Sequence, residues 1–550
     1  MKKNEIILFV LFIIGIISVE LFFFNPVFME SLFNGNINMK LYVVSKARLF
    51  IYLLFTIIMI LTKKRILNNC TEKRGKLNTI LYIISIVITL VIGVYLKKCH
   101  KMNVMTIGII ITFIDYITTL YLFHGKNHKI NILLICLISL IYTISVGPFH
   151  VLDEVTHVPT SYNLAQGNFN TKKMYFDPSL DQIKILSHYY DNKSLFVHYT
   201  PVKKDYSKYE TVYKIDNVSL HAHIPTAIGI KVSEKLNGTI MDTFYIGRLF
   251  NTIVLLGLLI ILLKTLKFKK YSILAIATIP ELILLGSTYN LDGIGNMIIA
   301  IFISYVINIY FDKDIKFINY KNLFIIFLLS ALICFFKGAT YFIILGLLFL
   351  IRKKIPKKMY KVVVPMILII GLLIYYNMFG SKSLDSGDVR GGNTNIKEQL
   401  KFLLSSPYVF FKVYFLHFMN TFFNPVFYTN MHMDYFYGGL STYMTLPIII
   451  YMIYMGLDDE YLKIKKFDKI FIILIFFAIF CFTSTALYLD FTPVGKTIIS
   501  GYQSRYVFPI LILLLTVLST KKITFKFNEN MKIYLILIIN IIMFIGSICV

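Results

Sequence analysis

"RLFNTIVLLGLLIILLKTLKFKK", Arg248 to Lys270, decides the class of this protein. Its apolar part approaches the roughly 20 residues a helix needs to cross a ~30 Å hydrocarbon core, and it ends in the basic cluster "KTLKFKK", Lys264 to Lys270. Apolar runs of this length recur along the chain, separated by short, often lysine-rich connectors, and predict about 13–15 transmembrane spans. The division between spans is least marked from Tyr271 to Leu350. Composition agrees: 57% hydrophobic and only 15% charged residues over 550 positions, with mean hydropathy +0.71, leave too little polar surface for a soluble globule of this size. The expected fold is an all-α polytopic membrane bundle. The first run, about Glu5 to Phe28 after "MKKNE", is too long for a signal-peptide core and lacks a small-residue cleavage site, so it reads as an uncleaved span.

A net charge of +27 could suggest nucleic acid, but in a membrane protein the placement of lysines matters more than their sum. Clusters fall at Thr62 to Lys76, Lys264 to Lys270, Arg352 to Lys361, Lys463 to Lys469 and Lys521 to Lys526. Threading the spans alternately from a cytoplasmic amino terminus puts all five on the cytoplasmic side, as the positive-inside rule requires. Only "KKCHK", Lys97 to Lys101, falls outside. No nucleic-acid partner is expected. The same threading leaves three outer segments, residues 147–242, 380–442 and 489–505. The six cysteines form no CxxC pair, and Cys136, Cys334, Cys481 and Cys549 lie within apolar runs, so no disulfide scaffold is expected.

Residues 1–126, about four spans, precede a core of residues 127–550. In the first part Glu20 and Asp115 are isolated acids near the ends of runs, where a snorkelling or packing role is expected over a functional one. The first outer segment closes with "HAHIPTAIGIKVSEKLNG", His221 to Gly238, whose Pro225 and Gly238 bracket a helix expected to be amphipathic and to lie on the membrane surface. A second such helix spans Lys397 to Phe423, interrupted at Pro407.

The scarce acids concentrate where the core begins, in "GPFHVLDEVTHVPTSYNLAQG", Gly147 to Gly167. A juxtamembrane carboxylate among apolar neighbours, Asp153 or Glu154, can have a raised pKa and act as a general base; a solvated acid or a helix cap is the plainer alternative. His157 could orient a carboxylate or complete a metal site. Pro159 biases Val158 toward extended backbone, so the helix is expected over Pro159 to Gln166 with Gly167 as its stop. Three further sites face outward. "STYNLDG" carries Asn290 and Asp292 in a break between spans, or is an ordinary polar turn. "FFKGATY" sets Lys337 at an outer span end, against the positive-inside rule, as the partner of an anion. "GKTIISGYQSRYVFP" ends an outer loop with Arg505, whose fork suits a phosphate or an acid within the bundle. Carboxylates and cations on one face suggest catalysis on an anionic lipid-linked substrate.

In this order the sites resemble a domain-of-unknown-function family of bacterial polytopic membrane proteins grouped with the GT-C glycosyltransferases. The matched positions are Asp153, Glu154, His157, Tyr162, Ala165 and Gly167; Arg248; Asn290 and Asp292; Lys337 and Tyr341; and Gly501, Gln503, Arg505, Tyr506 and Pro509, covering about Ile130 to Thr520. Departures are Leu152 for a common proline, Thr160 for a frequent arginine, Ser161 for alanine, and "YGGLSTYM" where a glycine-tryptophan segment is usual. The four amino-terminal spans are additional to the family layout.

The resemblance implies a GT-C-like bundle that moves a sugar from a polyprenyl-phosphate donor to a cell-surface glycan or lipid-linked acceptor, with inversion, at the outer face of the plasma membrane. It implies Asp153 as base, Glu154 and His157 as its orienting partners, and Arg505, Lys337 and Arg248 on the donor phosphate. Tyr162, Asn290, Asp292, Tyr341, Gln503 and Tyr506 would line the substrate. A divalent ion such as Mg²⁺ or Mn²⁺ is an open expectation, with Asp153, Glu154 and Asp292 as oxygen ligands. A transporter or flippase of lipid-linked saccharides would carry charges along a path to the inner face; a polysaccharide polymerase is chemically close; a non-catalytic scaffold would leave the acid pair without a purpose.

Overall fold

The computed structural model describes residues 153–169, 174–176, 210–213, 220–238, 240–337, 339–379, 392–423 and 460–518, with isolated positions at 139–151 and 452–457. The spans expected over 1–126, with Glu20, Asp115 and the cluster Lys97 to Lys101, lie outside the described residues, as do the clusters Thr62 to Lys76 and Lys521 to Lys526.

Among the described residues five helices are long and apolar enough to cross a membrane: Asp242–Thr265, Asp292–Phe311, Tyr320–Lys337, Lys357–Tyr375 and Lys466–Asp490. In chain order the helices are α1 (Glu154–Ala165), α2 (Ile224–Lys235), α3 (Ile240–Thr265), α4 (Lys270–Ala277), α5 (Pro280–Gly286), α6 (Asp292–Phe311), α7 (Tyr320–Lys337), α8 (Tyr360–Phe379), α9 (Ile396–Leu404), α10 (Pro407–Phe423), α11 (Lys466–Asp490) and α12 (Phe508–Leu518). A 3₁₀ segment, Ala339–Lys354, links α7 toward α8. This is the all-α polytopic protein that the runs predict. The exception among the described residues is an antiparallel ribbon of β1 (Met174–Phe176) and β2 (Glu210–Tyr213).

The bundle is built around α6. Of its membrane-length window 78% is buried, against 6% for α8, so α6 is the central helix and α8 a peripheral one. α4 and α5 open the stretch from Tyr271 to Leu350 whose division is least marked, and they are one apolar run broken before Pro280, which has no N–H to continue the first helix. α5 then lies against α6 backbone to backbone: a Cβ on Gly293 would fall 2.2 Å from the Gly286 nitrogen. Pro407 likewise splits α9 from α10, which meet at 106°. The Asn395 side chain caps α9 by accepting a bond from the Glu398 N–H at 3.0 Å.

Charges separate to the two ends of the bundle. At one end Lys267 pairs with Asp312 at 3.0 Å, Lys354 Nζ donates to the Asp312 carbonyl at 2.7 Å, Lys269 Nζ to the Glu460 carbonyl at 2.6 Å, and Tyr310 to Asp468 at 2.7 Å. Three of the basic clusters thus gather together, as the threading requires of them. Asp153, Asp292, Lys337 and Arg505 meet at the opposite end.

Two local expectations are corrected. α1 begins at Glu154 and contains Pro159, whereas a start at Pro159 was expected from the extended bias of Val158. The proline forfeits the one bond its N–H would have given to the Val155 carbonyl, and burial of Glu154, Val158 and Tyr162 against neighbouring elements outweighs that loss. Gly167 is the stop as expected, at φ +76°, with Asn168 N–H donating to the Asn163 carbonyl at 2.9 Å. α2 does carry Pro225 in its first turn, as expected, but its faces are not divided into apolar and polar. Thr226, Ala227, Gly229, Ile230 and Ser233 are buried, while Ile224 and Ile228 face out beside Lys231.

Candidate functional site

The site starts from a strained residue. Asp153 precedes α1 with φ +62°, a left-handed conformation that costs a non-glycine residue roughly 1–2 kcal/mol. Its carbonyl accepts from the N–H groups of Thr156 and His157, both at 2.9 Å. Its side chain points to the far end of the sequence: Arg505 Nη2 donates to Asp153 Oδ2 at 2.6 Å.

Arg505 links two acids. Its Nε lies 3.1 Å from Asp292 Oδ2, an ion-pair contact without hydrogen-bond alignment, and Lys337 Nζ donates to the other Asp292 oxygen at 2.7 Å. The order is therefore Asp153, Arg505, Asp292, Lys337, with acid and base alternating. The cations are sealed, at 4% and 2% side-chain exposure, and the carboxylates are open, at 24% and 18%. The cluster thus presents its acids outward and its cations from beneath.

Neighbouring residues position these four. Asn290 Oδ1 accepts from the Asp292 N–H at 2.7 Å and so fixes the start of α6. Asn251 on α3 holds the preceding turn by donating to the Thr288 carbonyl at 2.6 Å. Tyr341 OH donates to the Tyr506 carbonyl at 2.6 Å, and Arg505 Nη2 donates to Tyr506 OH at 3.1 Å. Gly501, at φ +74° and with the Phe491 ring 2.5 Å from where a Cβ would stand, turns the chain into this 3₁₀ corner, Ser504–Tyr506.

Electrostatics corrects the expected raised pKa of Asp153. Burial pushes its carboxyl up, but the Arg505 guanidinium, with His157 adding to it, outweighs burial and holds the group below the ordinary carboxylate value. Burial moves His157 down despite the nearby carboxylates of Asp153 and Asp292, which favours a neutral ring. Its Nδ1 shares a hydrogen bond with His223 Nε2 at 3.0 Å, so one ring donates and the other accepts.

Several expected site residues serve the frame instead. Glu154 and Arg248 form a two-pronged pair at 2.8 and 2.6 Å, with neither side chain exposed. Glu154 also accepts from the Tyr289 N–H at 3.3 Å. Arg248 is thereby enclosed against α1, under neither Asp153 nor Asp292, and the structure gives it a fastening task where a phosphate contact was expected. Tyr162 is packed with Phe149, Val158, Ile230 and Phe244 in an apolar cluster beside the Glu154–Arg248 pair. Ser161, where the resemblance favours alanine, bonds Thr226 at 2.7 Å and ties α1 to α2.

A divalent ion does not fit the expected ligands as they stand. Asp153 and Asp292 both turn an oxygen to Arg505, Glu154 has both of its oxygens on Arg248, and among the described residues no three acidic, histidine or cysteine groups converge.

Glu281, Asn296, Asn251 and His223 are site or support residues that the motifs do not mark. Glu281 could have been found as a lone acid in an apolar run, but after Pro280 it looks like an ordinary first-turn acid.

The model of a family described as predicted membrane protein (DUF2142) matches residues 195–514, more than half of the chain. The match takes in Arg248, Asp292, Lys337 and Arg505 and begins after the Asp153 stretch, so it is shorter than the resemblance drawn from the motifs. No curated protein and no solved structure matches the chain.

Proposed function

We propose that this chain, which belongs to the DUF2142 family of predicted membrane proteins, is a glycosyltransferase that moves a sugar from a polyprenyl-phosphate donor to an acceptor hydroxyl at the outer membrane face. The observation that carries this reading is the single guanidinium of Arg505 shared between Asp153 and Asp292. A phosphate arriving at Arg505 and Lys337 competes for the same N–H groups that now hold the acids. As it takes them, Asp153 loses the charge that keeps its pKa low, and its affinity for a proton rises. Donor binding thus readies the base.

In the reaction the acceptor hydroxyl gives its proton to Asp153 as its oxygen bonds to the sugar's anomeric carbon. The bond from that carbon to the phosphate oxygen breaks on the opposite side, which inverts the centre. Polyprenyl phosphate leaves with its charge held by Arg505 and Lys337, and Asp153 then releases its proton to water. Neutral His157, four residues along α1, faces Asp153 and helps fix its orientation.

The test compares surface glycans of cells lacking the gene with cells carrying the parent, Asp153→Asn, Arg505→Lys or Arg505→Ala, each checked for insertion. The parent restores a sugar substituent and Asp153→Asn does not. In proteoliposomes Arg505→Lys needs about tenfold more donor, and Arg505→Ala loses on the order of a hundredfold, the cost of charge-assisted contacts. Glycans identical with and without the parent would leave the four charges as a structural network and the chain as a scaffold.

A further inference from the structure

Beneath the four charges lies a second, uncharged-looking layer that the proposed chemistry leaves idle. Glu281 is 5% exposed and Asn296 2%, yet Glu281 Oε2 and Asn296 Oδ1 accept no hydrogen bond from the described residues, nor does the buried Gln503 Oε1. Arg505 Nη1 likewise donates none. Unpaired buried acceptors cost on the order of 1–3 kcal/mol each.

These groups converge on Arg505. Asn296 Nδ2 reaches the Arg505 carbonyl at 3.5 Å, Glu281 faces the charges of Arg505, Asp292 and Lys337, and Gln503 is two residues before Arg505 in its corner. The contact of Gly293 with Leu282 and Gly286 sets the depth. Asn296 stands four residues below Asp292, roughly 6 Å deeper along α6, and the antiparallel α5 brings Glu281 down to the same side of that contact.

Two amide oxygens, a carboxyl group and a guanidinium N–H ask for a ligand that both gives and takes hydrogen bonds. A metal ion would satisfy the oxygens but would sit beside Arg505 and Lys337, two positive charges in a dry setting. A hydroxyl group satisfies both kinds of partner. We infer that Glu281, Asn296, Gln503 and Arg505 Nη1 form a subsite for the hydroxyls of a sugar ring. Resting on the glycosyltransferase reading, this makes Glu281 and Asn296 residues that select which sugar is accepted, the ring being that of the donor.

The experiment measures equilibrium binding by the full-length protein in nanodiscs. The probes are undecaprenyl phosphate alone, undecaprenyl phosphates carrying glucose, galactose, mannose or N-acetylglucosamine, and the same sugars free. At least one sugar-bearing lipid binds the parent about tenfold tighter than undecaprenyl phosphate alone, and Glu281→Gln or Asn296→Leu removes that difference while leaving the bare lipid's affinity unchanged. Thermal stability of Glu281→Gln stays level or rises, since an amide replaces a buried acid; a joint fall in stability and binding would mark Glu281 as structural and overturn the proposal. A loss confined to the free sugars would overturn the assignment of the ring to the donor. If the bare lipid binds and no attached or free sugar is distinguished by either variant, the subsite is refuted while the lipid-phosphate reading stands; if no lipid phosphate binds, that reading itself fails.

Discussion

Arg248 and Arg505 are the same side chain put to two uses. Arg248 is enclosed with Glu154 in a pair with no exposure, where the cost of desolvating two charges is offset only while both are present. Arg248→Met therefore destabilises the protein by about 3–5 kcal/mol, and adding Glu154→Leu recovers most of the loss; denaturation in detergent measures both. Arg505 lies against carboxylates that remain partly open, so its partners can be exchanged. The motifs located Asp153, Asp292, Lys337 and Arg505 correctly at one end, since a charge at a span end needs a reason. The resemblance made Glu154 the orienting partner of Asp153, whereas adjacent residues at the start of a helix point to different sides: Asp153 to Arg505, Glu154 to Arg248. Tyr162 was equally ambiguous, as a buried phenol and a substrate-facing one look alike in sequence.

At the scale of elements the proximity of α5 and α6 sets the site, since it delivers Asp292, Asn296 and Glu281 together. Gly293→Ala forces a Cβ into the Gly286 backbone, at 2.2 Å, and there is no flexible atom to yield. It is expected to lower thermal stability and to abolish transfer, whereas Gly257→Ala, with nothing within 4 Å of the added carbon, leaves both unchanged; melting curves and glycan analysis of the two variants check this. Pro407 announced the break before α10, because a lost N–H acts locally; Pro280 lies in the stretch from Tyr271 to Leu350 whose division was least marked, and the break before α5 was not read. Pro159 misled for a complementary reason. Its local bias was real, but the packing that kept α1 helical comes from residues distant in sequence, Arg248 and Thr226 among them. The β1–β2 ribbon was illegible on the same ground, for its strands pair across residues 177–209, a connection far longer than the two to five residues by which a hairpin announces itself.

For the whole molecule, apolar run length and lysine position were sufficient to give the class and the grouping of the three basic clusters within the described residues, since both follow from the bilayer as solvent. Sidedness is tested directly. In a background with the six native cysteines replaced by serine, Lys496→Cys in the outer segment labels with an impermeant thiol reagent on intact cells, and Lys357→Cys labels only after lysis. The opposite pattern would turn the site to the cytoplasm. Between the two charged ends the buried face of α6 from Met297 to Ile309 is apolar apart from Ser304, which does not favour a polar path through the bundle. The pairing of Asp153 with Arg505 also sets a timetable for the protein's birth. The two residues are 352 positions apart, so at a synthesis rate of about 5–20 residues per second the ribosome needs roughly 20–70 s to add the second after the first. Throughout that interval the nascent chain holds an aspartate at the membrane border without its counter-charge. Only a chain synthesised past Arg505 can close the pair, and one stalled before it would present the insertion and proteolysis machinery with an unanswered negative charge.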